Sequence, residues 1–305
     1  MSLKVLCSSV IRASQLGDSH GGLYVVDIDN GTHKQILDWD RPDINWEGRG
    51  GDRGIRGMRF YNNLLYAAAG DAIFVFDKDM KAVNQFTCPY LRHTHEVDIY
   101  DNKLYIIANL YDAILVFDLK NECFIDSWHF QNDTPTLFDP NVRIYGPEAI
   151  DKLHLDSVYI HRGVLYYSGH HMDKLMALNL YNGNQSVYQD NIKHSHNAQP
   201  YMNGTIYNIA NQRKTVYKDK YLDSIKWTGN SPVCKDMVDK ISNEKIAVQG
   251  YVRGMVLYSD FIIVGSSPAT INVFNTDSVD VIKSIQISND VRNSICGIVK
   301  YEWEQ

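Results

Sequence analysis

Histidine is the residue type in this 305-residue chain whose placement points most directly to chemistry. Several of its eleven histidines stand just before short runs rich in Val, Ile and Tyr, far apart along the chain. A neutral imidazole can bind Zn, Mn or Fe, and it can also serve as a general base. The candidate metal ligands are His95, His154, His194 and His196. The candidate catalytic groups are His95, His154 and the nearby Asp156. Whether these side chains meet depends on the fold.

An internal repeat predicts that fold. The stretches IRGMRFYNNLLYAAAG at 55–70 and VRGMVLYSDFIIVGSS at 252–267 read almost alike, and further copies of the pattern lie between them. Each copy holds about four short runs rich in β-branched and aromatic residues, and a turn pair such as Asn-Asn or Asp-Asn separates the first run from the second. Four strands repeated at about 40 residues are typical of a propeller blade.

Five complete copies leave the two ends of the chain, 4–39 and 294–303, to form a sixth. The sequence therefore predicts an all-β fold, a six-bladed β-propeller whose last blade is closed by the N-terminal and C-terminal strands. Joining the chain ends within one blade would remove two free sheet edges. We expect a single domain over residues 1–305.

Composition limits the partners. A net charge of −6 argues against a protein held to nucleic acid by bulk charge. No apolar run approaches the ~20 residues of a membrane span, so we expect neither a nucleic-acid nor a membrane partner. Five scattered cysteines without CxxC spacing predict free thiols and a cytoplasmic location. The sequence does not predict the oligomeric state.

The long loops of the predicted propeller are 9–21, the Gly/Arg-rich stretch 40–54, an insertion at 129–152, and 219–249, in which 232–247 has a weak helical pattern. These loops all open on one face, so the functional site is expected at that mouth of the central channel. Aligning the repeats places polar residues or cysteine at all six axial positions there. They are Arg56, His95, Asp156, Asn197, Arg253 and Cys296. A one-residue bulge would turn His196 inward, and His170 lies on a loop at the same face. Glu96 is expected to point away from the axis.

Two interpretations of the histidines stay open. His95, His154 and either His194 or His196 would come from three successive blades and hold a divalent transition metal (Zn, Mn or Fe). Alternatively, the imidazoles hydrogen-bond around trapped water and seal the channel.

The arginines also have two interpretations. Arg56 and Arg253 are expected to face each other across the ring, where two guanidinium groups suit a carboxylate, sulfate or phosphate. Asn197 and Tyr251 would then be further ligand contacts. The alternative is a structural role, in which the arginines bond to Asp98, Asp156 or loop carbonyl groups.

Four stretches resemble, in order, the signature stretches of an uncharacterised family of bacterial propeller-like proteins. They are HEVDIYDNKLYIIANL, LHLDSVYI, HSHNAQPYMNGTIYNIAN and YVRGMVLYSDFIIVGSS. The family shows a His-Asp pair, a Cys-His-Leu-Asn-Gly stretch, a Pro-His-Ser-Pro stretch and an Arg-Gly-Leu stretch. The resemblance implies a propeller with His95, His154, His194 and Arg253 as signature positions. The family has no established activity, and this chain departs from it at Glu96 and Cys296, where the family has Asp.

Together these features favour an enzyme acting on a small polar or anionic molecule at the axial mouth. The reaction would be a hydrolysis, elimination or cyclisation, assisted by a metal or by a histidine base. The alternative is a non-catalytic propeller that binds a protein or glycan on the same face. An enzyme predicts a narrow polar pocket, whereas a binding module predicts a broad exposed apolar patch.

Overall fold

The computed structural model describes residues 2–42, 54–131, 134–232, 248–258 and 260–303, and these residues form 25 strands. The chain begins with β1 (Lys4–Ile11), β2 (Gly21–Asp27) and β3 (Thr32–Asp38). Then come β4 (Ile55–Tyr61), β5 (Leu64–Ala69), β6 (Ala72–Phe76) and β7 (Ala82–Phe86). The next five are β8 (Thr94–Tyr100), β9 (Lys103–Ala108), β10 (Ala113–Asp118), β11 (Cys123–Gln131) and β12 (Thr134–Phe138).

The second half of the chain continues the same pattern. It holds β13 (Leu155–His161), β14 (Val164–Gly169), β15 (Lys174–Asn179) and β16 (Gln185–Asp190). These precede β17 (Ser195–Tyr201), β18 (Gly204–Ile209), β19 (Lys214–Asp219) and β20 (Ser224–Asn230). The last five are β21 (Arg253–Leu257), β22 (Phe261–Ser266), β23 (Thr270–Asn275), β24 (Val281–Gln286) and β25 (Asn293–Lys300).

The strands form six antiparallel sheets, which we number as blades in chain order. Blades I to V are β4–β7, β8–β12, β13–β16, β17–β20 and β21–β24. Blade VI has the order β25-β1-β2-β3, so the C-terminal strand is innermost and three N-terminal strands lie outside it. Each inner strand contacts the inner strand of the next blade, and β25 contacts both β21 and β4, which closes the ring. The predicted six-bladed propeller and its mode of closure are confirmed.

Burial follows from the way the blades pack face to face. The middle strands β5 and β6 are buried along almost their whole length, on both faces, whereas the outermost strand β7 is exposed. Apolar side chains such as Leu65 and Phe74 fill the space between blades I and VI. The first hairpin turns of blades I to III have left-handed backbone at both central residues, as at Asn62 (φ 49) and Asn63 (φ 60). Asparagine tolerates that conformation, and the resulting turn matches the twist of the strands.

Some loops were predicted too long. Residues 219–249 were expected to be one loop, but β20 supplies the outermost strand of blade IV from within it. The expected insertion at 129–152 contains β12, a fifth strand paired outside β11. The weak helical pattern at 232–247 and most of the Gly/Arg-rich loop at 40–54 lie outside the described residues. No helix in the described part of the chain has the length and apolarity to cross a membrane.

Candidate functional site

All six inner strands carry a register shift close to the mouth of the channel. The residues left out of the ladder are Arg56 and Gly57, His95 and Glu96, Asp156, Asn197 and Ala198, Gly254, and Cys296. A β-bulge of this kind bends the strand and re-aims the side chains beside it. The sequence predicted one bulge, beside His196, and the structure repeats it in every blade.

The pairing partners correct the repeat alignment in blade IV. Ser195 pairs with Ile209 at the end of β18, as Thr94 pairs with Ala108 at the end of β9. The residue that follows Thr94 is His95, so its equivalent in blade IV is His196. The sequence alignment placed Asn197 there, one residue too late, because it used an offset one residue too large between blades III and IV. In the structure β17 and β18 begin 40 residues after β13 and β14.

The bulged residues surround a narrow waist in the channel. This cavity is about 10 Å³, roughly the room of one water molecule. Its lining consists of Arg56, His95, Glu96, Asp156, His196, Asn197, Arg253 and Cys296. All six axial positions predicted from the repeat therefore meet in one place.

Above the waist the channel widens into a mouth pocket of about 280 Å³. Its lining consists of Arg12, Arg56, His93, His95, Asn109, Asp151, His154, His170, His196, Tyr251 and Arg253. Five of these residues were not among the predicted site residues: Arg12, His93, Asn109, Asp151 and His170. Of these, Arg12 comes from the connection after β1 and Asp151 from the segment before β13. Neither follows the repeat, so the repeat alignment could not have found them.

Three residues at the floor of this pocket have the arrangement of a metal site. Asp156, His170 and His196 each offer a ligand atom, and these atoms lie within 4.8 Å of one another. The Nδ1 atom of His196 is 2.7 Å from Oδ2 of Asp156. Ligand atoms that share a tetrahedral zinc ion at 2.0–2.1 Å lie about 3.3 Å apart, so the side chains need to close in by about 1.5 Å at most.

Each of the three residues also has a polar atom without a hydrogen-bond partner among the described residues. These atoms are Oδ2 of Asp156, Nδ1 of His170 and Nε2 of His196, and all are inaccessible to solvent. Nδ1 of His196 thus lies in close contact with the Asp156 carboxylate. Buried polar groups are usually satisfied, so three unsatisfied ones together suit a cation or a ligand that is bound between them.

The other predicted metal ligands are engaged differently. Nε2 of His95 contacts the Nη1 atom of Arg56, and a guanidinium donor there occupies the lone pair that a metal would need. His154 is bound through Nδ1 to Asp151, at 3.0 Å. His194 is exposed, and its ring lies 4.9 Å from that of His170. The metal-like cluster therefore shares only His196 with the predicted set.

Burial favours the neutral form of His95, His170 and His196. It lowers the pKa of His95 well below its usual value, with the charges of Arg56 and Arg253 adding to the effect. It lowers the pKa of His170 to about 4. The pKa of His196 is also lowered by burial, although the Asp156 carboxylate opposes that shift. Neutral imidazole is the form that binds metals.

The sequence predicted that Arg56 and Arg253 face each other across the ring, and this prediction was wrong. Arg56 lies on blade I and Arg253 on blade V, so only the closing blade VI separates them. In a ring of six, opposite positions are three blades apart. The Nη2 atom of Arg253 donates to Oη of Tyr251 at 3.1 Å. The two guanidinium groups therefore lie on the same side of the mouth pocket.

Glu96 lines the channel, contrary to the expectation that it points away. The bulge leaves both His95 and Glu96 unpaired, so consecutive side chains line the same channel. Oε1 of Glu96 accepts a hydrogen bond from Nδ2 of Asn197 at 2.6 Å. Oδ1 of Asn197 in turn accepts from the backbone N–H of Gly254 at 2.9 Å. Burial raises the pKa of Glu96 to about 7.

Comparison with known proteins supports the fold and does not identify a family or a function. No family model matches the chain, and no curated protein matches it. The computationally designed protein Ika8 has a TM-score of 0.52 at 9% identity, over 97% of this chain and 91% of that chain. A chain in the crystal structure of a nidogen/laminin complex has a TM-score of 0.61 at 11% identity, over 97% of both chains. The family resemblance of the signature stretches stays a prediction.

Proposed function

We propose that this propeller is an enzyme that acts on a small anionic molecule in the mouth pocket, with a divalent transition metal bound by Asp156, His170 and His196. The proposal rests on two observations: these residues bring ligand atoms within 4.8 Å of one another, and each has a buried polar atom without a hydrogen-bond partner in the described part of the chain. Two imidazoles and a carboxylate are a donor set that suits Zn, Mn or Fe. In the alternative, a sealed channel, a trapped water molecule would satisfy those atoms instead.

The charge around the pocket favours an anionic ligand. Among the described residues, three arginines and one carboxylate, that of Asp151, line the mouth, and the Asp156 carboxylate lies just below at the waist. A bound divalent ion would add further positive charge. A concave site lined by guanidinium groups attracts carboxylates and phosphates and orients them through paired hydrogen bonds.

The reaction we propose is a hydrolysis, elimination or cyclisation. A bound metal ion polarises an oxygen of the substrate or lowers the pKa of a water molecule. His154 is the proposed general base, because Asp151 holds its Nδ1 and so leaves Nε2 as the proton acceptor. His95, whose ring lies 5.8 Å from that of His154, would bind the ligand together with Arg56. Asn197 and Tyr251 stay the proposed ligand contacts.

The test compares two adjacent histidines of one loop. His170 belongs to the metal-like cluster, whereas His171 is exposed and its Nδ1 contacts the carbonyl oxygen of Lys152. Protein purified without chelator should contain about one transition-metal ion per chain by elemental analysis. The His170→Gln variant should lose it, and His171→Gln should keep it. Equal metal content in both variants, or none in the wild-type protein, contradicts the metal site.

The alternative function, non-catalytic binding of a protein or glycan, has one observation in its favour. The segment between β12 and β13 exposes apolar side chains near the mouth, among them Ile144 (82% exposed) and Ile150 (52%). An apolar surface of this kind is typical of a binding site for a macromolecule. The same segment also supplies Asp151 to the mouth pocket, so the two functions share one face.

A further inference from the structure

Arg12 enters the mouth pocket from the connection between β1 and β2. The backbone holds it in place, because the N–H of Arg12 donates to the carbonyl oxygen of Arg292 at 3.0 Å. Its guanidinium carbon lies 5.0 Å from the centre of the Tyr251 ring. That of Arg253 lies at the same distance, 5.0 Å, from the same ring. Two cations therefore flank one phenol.

The phenol oxygen holds the two cations together. Both Arg253 and Arg12 make a side-chain hydrogen bond to Tyr251. A phenol oxygen has two lone pairs, so these two bonds fill its capacity as an acceptor. What Tyr251 still offers is its O–H group as a donor. The three side chains together present only hydrogen-bond donors to the pocket.

Two carboxylates of the described residues at the mouth and the waist, Asp151 and Asp156, contact histidines. Asp151 binds His154, and Asp156 lies against His196. Burial lowers the pKa of Arg12, and the like charge of Arg253 lowers it further. Nε of Arg253 is buried and has no hydrogen-bond partner in the described part of the chain. A buried donor on a cation is costly unless an acceptor reaches it.

We infer that Arg12, Tyr251 and Arg253 form an oxyanion seat that binds one anionic end of the ligand, a phosphate or a carboxylate. This inference deepens the proposed function and rests on its anionic ligand, but it does not require the metal. Two guanidinium groups and a hydroxyl around one space match a group that carries several oxygens on one centre. The Tyr251 ring is 6.4 Å from the ring of His196, so the seat lies beside the proposed metal site. The ligand class is therefore a short acid or phosphate ester whose reacting group is only a few bonds from its charge.

The test uses inorganic phosphate and succinate as probes, titrated by calorimetry into the protein as purified and again after treatment with a chelator. The Arg12→Met variant should bind the preferred probe at least tenfold more weakly, in both conditions. Tyr251→Phe keeps the ring and removes the hydroxyl, and it should weaken binding at least threefold. Arg92→Met is the control, because Arg92 pairs with Asp71 outside the pocket and its loss removes the same charge. The preference between the two probes identifies the oxyanion as phosphate or carboxylate.

The outcomes separate this inference from the proposed metal site. Binding of a probe that survives chelation and is lost in Arg12→Met supports the seat, whether or not the protein holds metal. If Arg12→Met fails to fold, the Tyr251→Phe variant decides in its place. Binding that disappears on chelation and is equal in wild type, Tyr251→Phe and Arg92→Met places the anion on the metal and overturns the seat. The absence of binding of both probes to folded wild-type protein also overturns it.

Discussion

His196 and Asp156 lie against each other across the boundary between blades III and IV, with Nδ1 of the histidine 2.7 Å from Oδ2 of the carboxylate. Both side chains are almost fully buried, at 4% and 0% exposure. The other carboxylate oxygen, Oδ1, accepts a hydrogen bond from Oγ of Ser157 at 3.0 Å, which fixes the plane of the group. Oδ2 is thus presented toward His196 and the floor of the mouth pocket.

The first prediction concerns the charge of this carboxylate. Asp156→Asn keeps the shape and the bond from Ser157 but removes the anionic ligand atom, so we expect affinity for Co(II) or Zn(II) to fall at least tenfold. Asp151→Asn is the matched control, because it removes the same charge from the same pocket and Asp151 binds His154 instead. The visible absorption of Co(II)-loaded protein reports the coordination directly. A larger loss in Asp151→Asn would instead assign the metal to His154.

The architecture was predictable from the sequence because a propeller repeats its turn chemistry. Pairs such as Asn62-Asn63 recur before each second strand, and apolar runs of nearly constant length follow them. The fifth strand of blade II was not predictable, since β12 pairs only at the outer edge and contains Pro135, which is unusual within a strand. β20 was missed because its side chains are mostly exposed and give no apolar pattern.

The site was predictable at the level of the ring but not at the level of its contacts. Repeat alignment brought Arg56, His95 and Asp156 to one waist because equivalent positions in equivalent blades must meet near the axis. The alignment could not predict which side chains contact each other, because the bulges change the direction of the side chains and the repeat pattern does not encode that change. Arg12 is the clearest case: it lies in a connection that no repeat shares.

The second prediction concerns Glu96 and pH. In the folded protein the pKa of Glu96 is raised to about 7, whereas the ordinary pKa of a glutamate is 4.5. Between those two pH values the unfolded chain has lost the proton and the folded chain retains it, so the contribution of Glu96 to stability falls as pH rises. It is fully present below pH 4.5 and lost above about pH 7. The Glu96→Gln variant keeps an acceptor for Asn197 and cannot lose a proton.

Chemical denaturation at several pH values, with chelator present, measures this effect. The stability of Glu96→Gln relative to wild type should rise by about 1–3 kcal/mol between pH 4.5 and 7.5. Glu122→Gln serves as the control, because Glu122 is exposed in a turn and its variant should follow the wild-type profile. Parallel profiles for wild type and Glu96→Gln would mean that Glu96 is ionised in the folded protein at all these pH values.

The third prediction concerns the closing blade, where Ser8 connects three strands. Its hydroxyl donates to the carbonyl oxygen of Arg56 on β4 at 2.7 Å and accepts from the N–H of Gly297 on β25 at 2.9 Å. Ser8 itself lies on β1 and is fully buried. Ser8→Ala leaves two buried backbone groups without this partner, at a cost of about 2 kcal/mol or more. We therefore expect the free energy of unfolding in urea to fall by that amount.

Ser186→Ala, on the exposed strand β16, is the control and should change the free energy of unfolding by less than about 0.5 kcal/mol. Equal effects of the two substitutions would show that Ser8 does not stabilise the closure of the ring.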